Sequence, residues 1–313
     1  MSGPLVSIIV PAYKAERYIA EALETVRQQT YSNWEVIVVE DAWHDRTEQI
    51  VQAFSESVGS ERVKFVRHAV NKGLAATRNT GIAIAQGQFI ALLDHDDLWR
   101  PEHLKAAVST LEADCADLVY STVQLFTDSD GNIGNWGPES GELETFPVSL
   151  FLRNYITPSC TVFRRQALQK IHYFDETLRS CEDYDCWFRL LKNNCRFVYL
   201  EGVYCCYRKH SSALTQNYLF MAETVLYALN KHKDWKIIPQ AVKANRFAEL
   251  YSEIVTLEAN NPSFRTVVFA LRAWRYRPFD LLRLKAVIRA IVIIALNSFE
   301  LYLKPFKKLL QAK

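Results

Sequence analysis

The seven cysteines of this 313-residue chain include no CxxC pair and no Cys/His spacing that is typical of a zinc site. The sequence also has no internal repeat and no low-complexity segment, which argues against repeat architectures and long disordered tracts. No charged, apolar leader with a cleavage site precedes the first strand pattern, so we expect no signal peptide. We interpret the cysteines as small buried hydrophobes in a reducing cytosol.

Two common phosphate-binding loops are missing as well. The first apolar strand is not followed by GxGxxG, and no GKS or GKT loop occurs in the chain. A nucleotidyltransferase would be expected to carry a glycine-rich loop with a basic residue after that strand, so this class remains only an alternative. If the chain binds a nucleotide, the phosphate charge must be neutralised in another way.

The composition is that of a globular protein with a full core, with 49% hydrophobic and 23% charged residues. The charge is uneven along the chain. Residues 264–313 contain 11 Lys and Arg against two acidic residues, a net charge of +9, whereas the remainder carries 26 basic against 33 acidic residues, a net charge of −7. The sequence therefore predicts an acidic body with a basic, apolar C-terminal region, and we expect no nucleic-acid partner.

Apolar, β-branched runs alternate with helix-period segments through the first hundred residues. This alternation predicts an α/β fold with a mostly parallel sheet flanked by helices. Strands are predicted at residues 5–10, 34–40, 62–68, 88–94, 117–126, 157–168 and 195–210. Residues 127–142 are predicted to form a mobile loop. From about residue 217 the pattern is helical, which predicts a catalytic domain at 1–216 and a helical, basic amphipathic extension at 217–313.

Three carboxylates follow the fourth predicted strand, in the stretch FIALLDHDDLWRP at residues 89–101. Ligands of parallel α/β sheets bind at the carboxyl ends of the strands. Asp94 and Asp96 are two residues apart, so their carboxylates share a face in an extended chain. Mg²⁺ and Mn²⁺ prefer oxygen ligands and bind through one or two carboxylates together with substrate phosphates. The spacing predicts either such a metal site or a solvated acidic turn.

The chain resembles the inverting glycosyltransferases of family 2, which have the GT-A fold, in four segments that occur in the order of that family. These segments are VSIIVPAYKAERYI, VIVVEDAWHDRT, NKGLAATRNTGIAIAQGQFIALLDHDD and CEDYDCWFRL. The resemblance covers about two thirds of the chain. It implies a Rossmann-like GT-A sheet, a nucleotide-sugar donor at its carboxyl edge, Mn²⁺ or Mg²⁺ on a DxD motif, and a carboxylate that deprotonates an acceptor hydroxyl.

The resemblance assigns the nucleobase to two segments. Pro11, Ala12 and Tyr13 match the segment that lies along the base, where Tyr13 either stacks on the base or packs at a helix start. Glu40 and Asp41 match an acidic pair of which one carboxylate accepts a hydrogen bond from the base. The family continues this pair with Gly-Ser-Thr, whereas this chain has Ala-Trp-His at residues 42–44. The resemblance therefore leaves the shape of the base pocket open.

Other matches concern the diphosphate and the metal. Lys72 and Arg78 match a phosphate-side segment, and Arg78 either reaches a phosphate or pairs with a carboxylate at the sheet end. Asp96 matches the metal ligand of the DxD motif, and Asp94 the residue that contacts the ribose or the metal. His210 matches a late loop histidine that completes the metal shell or touches the diphosphate, although a lone loop histidine can simply be solvated.

Two further roles concern individual acidic residues near predicted helix starts. Asp97 is expected to cap the helix that starts near Pro101. Glu182 and Asp183 match the family's catalytic acidic pair, in which Asp183 would be the general base, the alternative being a helix N-cap.

The expected reaction transfers a sugar, with inversion, from a nucleoside-diphosphate sugar to a hydroxyl of a saccharide or lipid-linked acceptor. The resemblance to the family implies that the donor is a UDP-sugar. Such a reaction belongs to cell-surface polysaccharide or glycolipid synthesis. The alternatives are a catalytically inactive nucleotide-sugar-binding or scaffold member and a nucleotidyltransferase.

The C-terminal region contains no apolar run long enough to cross a bilayer, because its longest run, Ala290 to Leu296, has seven residues and a spanning helix needs about 20. Its apolar residues form one stripe, and basic residues lie at the margins of this stripe. The stripe consists of Leu281, Leu284, Val287, Ile288, Ile291 and Ile294. A basic amphipathic helix of this kind lies on an anionic membrane surface or packs on the acidic body. We expect a cytoplasmic protein that is peripheral on the inner face of the plasma membrane.

Overall fold

The computed structural model describes residues 3–259, 263–278, 280 and 284–293. The chain divides into two compact units, Met1–Ala213 and Leu214–Lys313. The first unit contains the sheet and every residue for which a catalytic or binding role is predicted.

Four parallel strands form one half of the sheet, in the order β3-β2-β1-β4. Their bounds are Val6–Ala12 (β1), Trp34–Glu40 (β2), Val63–Arg67 (β3) and Phe89–Leu92 (β4). The connecting helices are Ile19–Arg27 (α1), Thr47–Val58 (α2) and Leu74–Ile84 (α3). Every residue of β1, β2 and β4 is buried, because the Val- and Ile-rich runs are covered on both faces of the sheet. The predicted α/β class is confirmed, as are the four strands.

The other half of the sheet mixes directions. It contains Leu98–Trp99 (β5), Leu118–Thr127 (β6), Gly131–Trp136 (β7), Val162–Arg164 (β8) and Phe197–Arg208 (β9). From β4 the order continues β8-β6-β9-β5, and β7 pairs with the C-terminal part of β6 outside this order. Strands β6 and β9 are parallel, and the remaining pairings in this half are antiparallel. The helices here are His103–Ala113 (α4), Val148–Leu152 (α5), Arg165–Lys170 (α6) and Glu182–Lys192 (α7).

Two segments differ from the sequence prediction. The predicted loop at residues 127–142 contains β7, which forms a hairpin with β6. The turn closes through Thr127, whose hydroxyl donates to Asp130 at 2.9 Å, and through Gly131, whose φ of 65° favours glycine. The predicted strand at 157–168 contains only the three residues of β8, because α6 begins immediately after it.

The second unit is helical in its described part, with Tyr218–Lys231 (α8), Gln240–Leu257 (α9), Phe264–Tyr276 (α10) and a further helical stretch at residues 284–293. No helix among the described residues is both long and apolar enough to span a membrane.

The predicted apolar stripe of the C-terminal region is divided between two faces. Val287 is buried in a cluster with Val255 and Ala270, so part of the stripe packs within its own unit. The other face is exposed and combines apolar with basic side chains. We call this face the basic apolar surface, and it consists of Leu284, Lys285, Ile288, Arg289, Ile291 and Val292. Leu281 and residues 294–313 lie outside the described residues.

Candidate active site

The predicted site residues gather at the carboxyl edge of the parallel strands. Strand β1 lies between β2 and β4, so the chain order reverses between β1 and β4, which is where open α/β sheets bind ligands. The ends of these two strands are joined by the His95 ring, whose Nδ1–H donates to the carbonyl oxygen of Pro11 at 3.2 Å. The segments that are predicted to contact the nucleobase and the metal are therefore neighbours.

The end of β1 presents an aromatic side chain to solvent. Pro11 and Ala12 are buried strand residues, whereas Tyr13, the next residue, is 42% exposed. Trp43 follows the end of β2 and is 37% exposed, and its ring centroid lies 5.4 Å from that of Tyr13 at an interplanar angle of 65°. The Nζ atom of Lys14 lies 4.3 Å from the Trp43 ring centroid. We call Tyr13, Lys14 and Trp43 the aromatic corner. In the sequence, Trp43 is recognisable only as a departure from the family pattern.

Asp41 holds the turn that precedes α3. Its carboxylate accepts hydrogen bonds from the backbone N–H groups of Lys72 and Gly73, both at 2.8 Å, and lies 2.8 Å from Nδ1 of His68. His68 carried no predicted role. The Lys72 side chain is exposed, so the turn presents a cation at the sheet edge.

Glu40, the other acid of the predicted pair, is buried and paired with Arg67 of β3. Burial raises the pKa of Glu40, and Arg67 opposes this effect. Only 1% of Glu40 and 4% of Asp41 is exposed. The acidic pair therefore lies beneath the surface, and the aromatic corner forms the accessible part of this end of the sheet.

Arg78 joins two predicted site segments from a buried position on α3. Its Nη2 lies 2.7 Å from Oδ1 of Asp94, and its Nη1 pairs with Glu182. Burial disfavours the charge on the guanidinium, but the two carboxylates outweigh it and raise the pKa of Arg78. Of the two alternatives considered for Arg78, pairing with a carboxylate at the sheet end is the one observed.

Asp96 contacts His210, whereas Asp94 contacts Arg78. Oδ2 of Asp96 lies 2.9 Å from Nε2 of His210, whose ring packs against Tyr18 at a centroid distance of 5.1 Å. Asp94 faces Arg78, so the predicted set of three metal ligands is not assembled as one cluster. Within the described part of the chain, no three or more His, Cys, Asp and Glu side chains are grouped as a metal site.

Asp96 and His210 nevertheless fit a partial metal shell. A carboxylate oxygen suits Mg²⁺ or Mn²⁺, and imidazole nitrogen is a common metal ligand. Both side chains are partly exposed, at 21% for Asp96 and 15% for His210. Because such cations are often bound by one or two protein carboxylates plus substrate phosphates, a two-residue set open to solvent is compatible with this chemistry.

The prediction that Asp97 caps α4 is wrong. Helix α4 has Glu102 at its N-cap position and no side-chain cap, whereas Oδ1 of Asp97 accepts the backbone N–H of Arg208 at 3.0 Å. Asp97 is buried, and burial together with the neighbouring Asp96 raises its pKa well above the usual range. Asp97 thus connects β4 to the end of β9 instead of capping a helix.

Arg208 is a site residue that the sequence analysis missed. Its Nε donates to the carbonyl oxygen of Asp96 at 2.9 Å, its Nη2 lies 2.6 Å from Glu21 of α1, and its Nη1 pairs with Asp128 in the β6–β7 turn. The side chain is buried. Arg208 therefore fastens the end of β9, which carries His210 two residues later, to the DxD segment.

The Asp183 carboxylate lies in the first turn of α7, whose N-cap residue is Cys181 with φ 60° and no side-chain cap bond. Asp183 therefore does not occupy the N-cap position that was its alternative role. Asn154 Nδ2 donates to Asp183 Oδ2 at 3.2 Å, and Asp183 is partly exposed. Burial raises the pKa of Asp183, and the nearby Arg78 charge opposes this.

Glu182 is more enclosed than Asp183. Burial raises the pKa of Glu182 to about 7 despite its pairing with Arg78. Asp183 is thus the more accessible carboxylate of the pair, whereas Glu182 connects α7 to Arg78. The geometry can hold a cation-bound diphosphate near Asp96 and can offer a proton acceptor at Asp183.

Known proteins resemble this chain in sequence and in fold. The family described as Glycosyl transferase family 2 matches residues 7–172. An Escherichia coli protein named UDP-Glc:alpha-D-GlcNAc-diphosphoundecaprenol beta-1,3-glucosyltransferase WfgD is 31% identical over 219 residues, which cover 69% of this chain and 82% of that protein.

Two solved structures share the fold. TarS 1–349 of S. aureus, in complex with UDP-GlcNAc, has a TM-score of 0.60 and 21% identity, covering 89% of this chain and 88% of TarS 1–349. The mannosyltransferase PcManGT of Pyrobaculum calidifontis, in complex with GDP-Man and Mn²⁺, has a TM-score of 0.64 and 18% identity, covering 92% of this chain and 86% of that one.

Proposed function

Because the chain belongs to glycosyl transferase family 2 and is a glycosyltransferase, we propose that it moves a sugar from a nucleoside-diphosphate donor to an acceptor hydroxyl with inversion at C1. The observation that carries the proposal is the bridge formed by Arg78. It joins Asp94 of the DxD segment to Glu182, the neighbour of Asp183. This bridge supports a single site in which a donor would be held at the DxD segment and a base would lie on α7.

We assign the donor to the UDP-sugars. The E. coli relative is named for UDP-Glc, and the TarS structure contains UDP-GlcNAc, which supports this assignment, although PcManGT contains GDP-Man. The nucleotide would lie along Pro11 to Tyr13 and the turn at Lys72, above the buried Glu40 and Asp41. The exposed Lys72 and the helix N-terminus behind it favour the negative diphosphate.

Mn²⁺ or Mg²⁺ would be held by Asp96 and His210, with Asp94 kept in place by Arg78. When bound, the cation supplies positive charge to the leaving diphosphate. Arg208 fixes the backbone of Asp96 and the strand that precedes His210, so the two side chains are held together before any ligand arrives.

Asp183 would take the proton from the acceptor hydroxyl as its oxygen attacks C1 of the sugar. A carboxylate with a raised pKa is a stronger base than an ordinary aspartate, which suits proton abstraction. Glu182 is buried against Arg78 and is not available as a covalent nucleophile. With Glu182 enclosed, Asp183 is the accessible carboxylate of the α7 pair, which supports a single displacement that inverts the configuration at C1.

The acceptor would be a saccharide or a lipid-linked saccharide used for cell-surface polysaccharide or glycolipid synthesis. The name of the E. coli relative specifies a diphosphoundecaprenol acceptor. The basic apolar surface of the second unit suits an anionic membrane, which would place the protein on the cytoplasmic face of the plasma membrane. The missing glycine-rich loop after β1 disfavours a nucleotidyltransferase.

Release of nucleotide from UDP-Glc, UDP-GlcNAc and GDP-Man, with and without Mn²⁺, tests this proposal. We expect Mn²⁺-dependent turnover of a UDP-sugar, and a loss of several orders of magnitude in Asp96→Asn. Asp114→Asn is the matched control, since Asp114 is exposed after α4 and outside the site. Nucleotide binding without turnover of any donor would instead indicate an inactive family member.

A further inference from the structure

We propose that Trp43 forms, together with Tyr13, the surface on which the nucleobase of the donor stacks. This inference rests on the proposed function, because it identifies the group that receives the donor's base. It assigns a role to Trp43, which stands where the second matched segment departs from the family's Gly-Ser-Thr pattern.

The two rings form an accessible aromatic surface at the sheet edge. Tyr13 is 42% and Trp43 37% exposed, and their centroids are 5.4 Å apart. Aromatic side chains bury a large area when they meet a flat partner, and every nucleobase offers such a face. Because the two rings meet at an interplanar angle of 65°, a planar ligand stacked on the face of Trp43 would meet Tyr13 in an edge-to-face contact.

The backbone holds the rings side by side. Ala12 pairs with Glu40 at the last register position of β1 and β2, and the Asp41 N–H continues this pairing by donating to the Ala12 carbonyl at 2.9 Å. Lys14, after Tyr13, and Ala42, before Trp43, both have φ 55°, a left-handed conformation that non-glycine residues rarely adopt. Such unfavourable conformations cluster at ligand sites, where the surrounding structure maintains them.

Most of the neighbouring carboxylate oxygens are already engaged. Asp41 accepts hydrogen bonds from the turn before α3, and Glu40 accepts one from Arg67, while the buried Oε1 of Glu40 has no hydrogen-bond partner among the described residues. Among the described residues, the charged group over the Trp43 ring is the ammonium of Lys14, an exposed residue. Exposed cation–π contacts are weak, so a planar base can displace the ammonium.

Calorimetric titration of the full chain with UDP in Mn²⁺ tests the proposal. We expect Trp43→Ala to weaken UDP binding about fivefold or more, since stacking of one base on an aromatic ring is worth at least this factor. Trp43→Phe should recover most of the affinity. Trp274→Ala is the matched control because Trp274 is 36% exposed but lies in the other unit, and its UDP affinity should stay within twofold.

Inorganic pyrophosphate, which has no base, should bind the Trp43→Ala variant and the parent equally. Titration of tryptophan fluorescence gives a second measurement. The UDP-dependent change should be present in the parent and in Trp274→Phe, and absent in Trp43→Phe. Thermal unfolding of each variant confirms that the exposed substitutions leave the fold intact.

The outcomes separate the two proposals. Unchanged UDP affinity in Trp43→Ala, or an equal loss of pyrophosphate affinity, would overturn the stacking role while leaving the proposed function in place. If the parent binds neither UDP nor GDP, the proposed function itself fails, and the stacking role fails with it.

Discussion

Nη2 of Arg78 lies 2.7 Å from Oδ1 of Asp94, and the other arm of the same guanidinium pairs with Glu182, 104 residues further along the chain. The Arg78 side chain and Glu182 are buried, whereas Asp94 is 22% exposed. Removing the arginine would leave the buried Glu182 and the partly exposed Asp94 without their positive partner, which costs more than losing a surface ion pair.

Arg78→Ala should therefore lower the free energy of unfolding by about 3–5 kcal/mol in urea denaturation. Arg17→Ala provides the contrast, because Arg17 is 70% exposed and its pair with Asp128 should contribute less than about 1 kcal/mol. Equal costs for the two variants would show that the buried pairing is not important for stability.

Asp183→Asn should preserve donor binding and abolish transfer, because only the proton-accepting step is lost. Calorimetry with UDP and a transfer assay separate these two effects. Glu48→Gln, a substitution in the first turn of α2, is a control that should stay within about twofold of the parent. Transfer at the parent rate in Asp183→Asn would place the general base elsewhere.

Asn154→Ala should move the acid limb of the pH–rate profile to higher pH. The reaction needs ionised Asp183, so the rate falls as the pH drops through the raised pKa of this carboxyl. The hydrogen bond from Asn154 lowers that pKa, so its loss should shift the acid limb to higher pH. The rate at high pH should change little, and the exposed Asn135→Ala should leave the profile unmoved.

His103 should make the protein sensitive to acid. Its ring stacks on Trp99 with a centroid distance of 4.5 Å, both ring nitrogens are buried without a hydrogen-bond partner among the described residues, and burial lowers its pKa to about 3. Below the ordinary histidine pKa of 6.5 the unfolded chain binds a proton that the folded state does not, so stability is lost as the pH falls.

The loss from this residue between pH 6.5 and 5 should be about 2 kcal/mol. Denaturant unfolding across this range should show a flatter pH dependence in His103→Phe, which keeps the aromatic contact. The exposed His44→Gln should keep the parent slope. A parent-like slope in His103→Phe would assign the acid sensitivity to other groups.

The full chain should float with anionic vesicles at low salt and less at high salt, because basic side chains near anionic headgroups contribute about 1 kcal/mol each. Replacing Ile288 and Ile291 of the basic apolar surface with Asp should abolish flotation. Ile133→Asp, an exposed site on β7, should have no effect. Retained flotation in the double variant would place the membrane contact elsewhere.

The parallel half of the sheet could be predicted because its strands are uninterrupted Val- and Ile-rich runs that require burial on both faces. Strand β7 could not, since all six of its residues are exposed and only pairing with β6 defines it. The role of Arg208 was equally hidden, because its partners Asp96 and Asp128 lie 112 and 80 residues away. Asp97 was mispredicted because its partner comes from β9 and not from the helix that follows it.

Helix α3 has a consequence for engineering of donor choice. Its preceding turn is held by Asp41, Thr80 on its body lies 2.9 Å from the His68 ring, and Arg78 supports both carboxylate segments. Grafting new strand ends from another transferase would tilt this helix and disturb turnover together with selectivity. Among the described residues, the side chains of Tyr13 and Trp43 make no contact with this network around α3. Libraries of variants confined to these two positions therefore offer a way to change nucleotide selectivity without altering the contacts of α3.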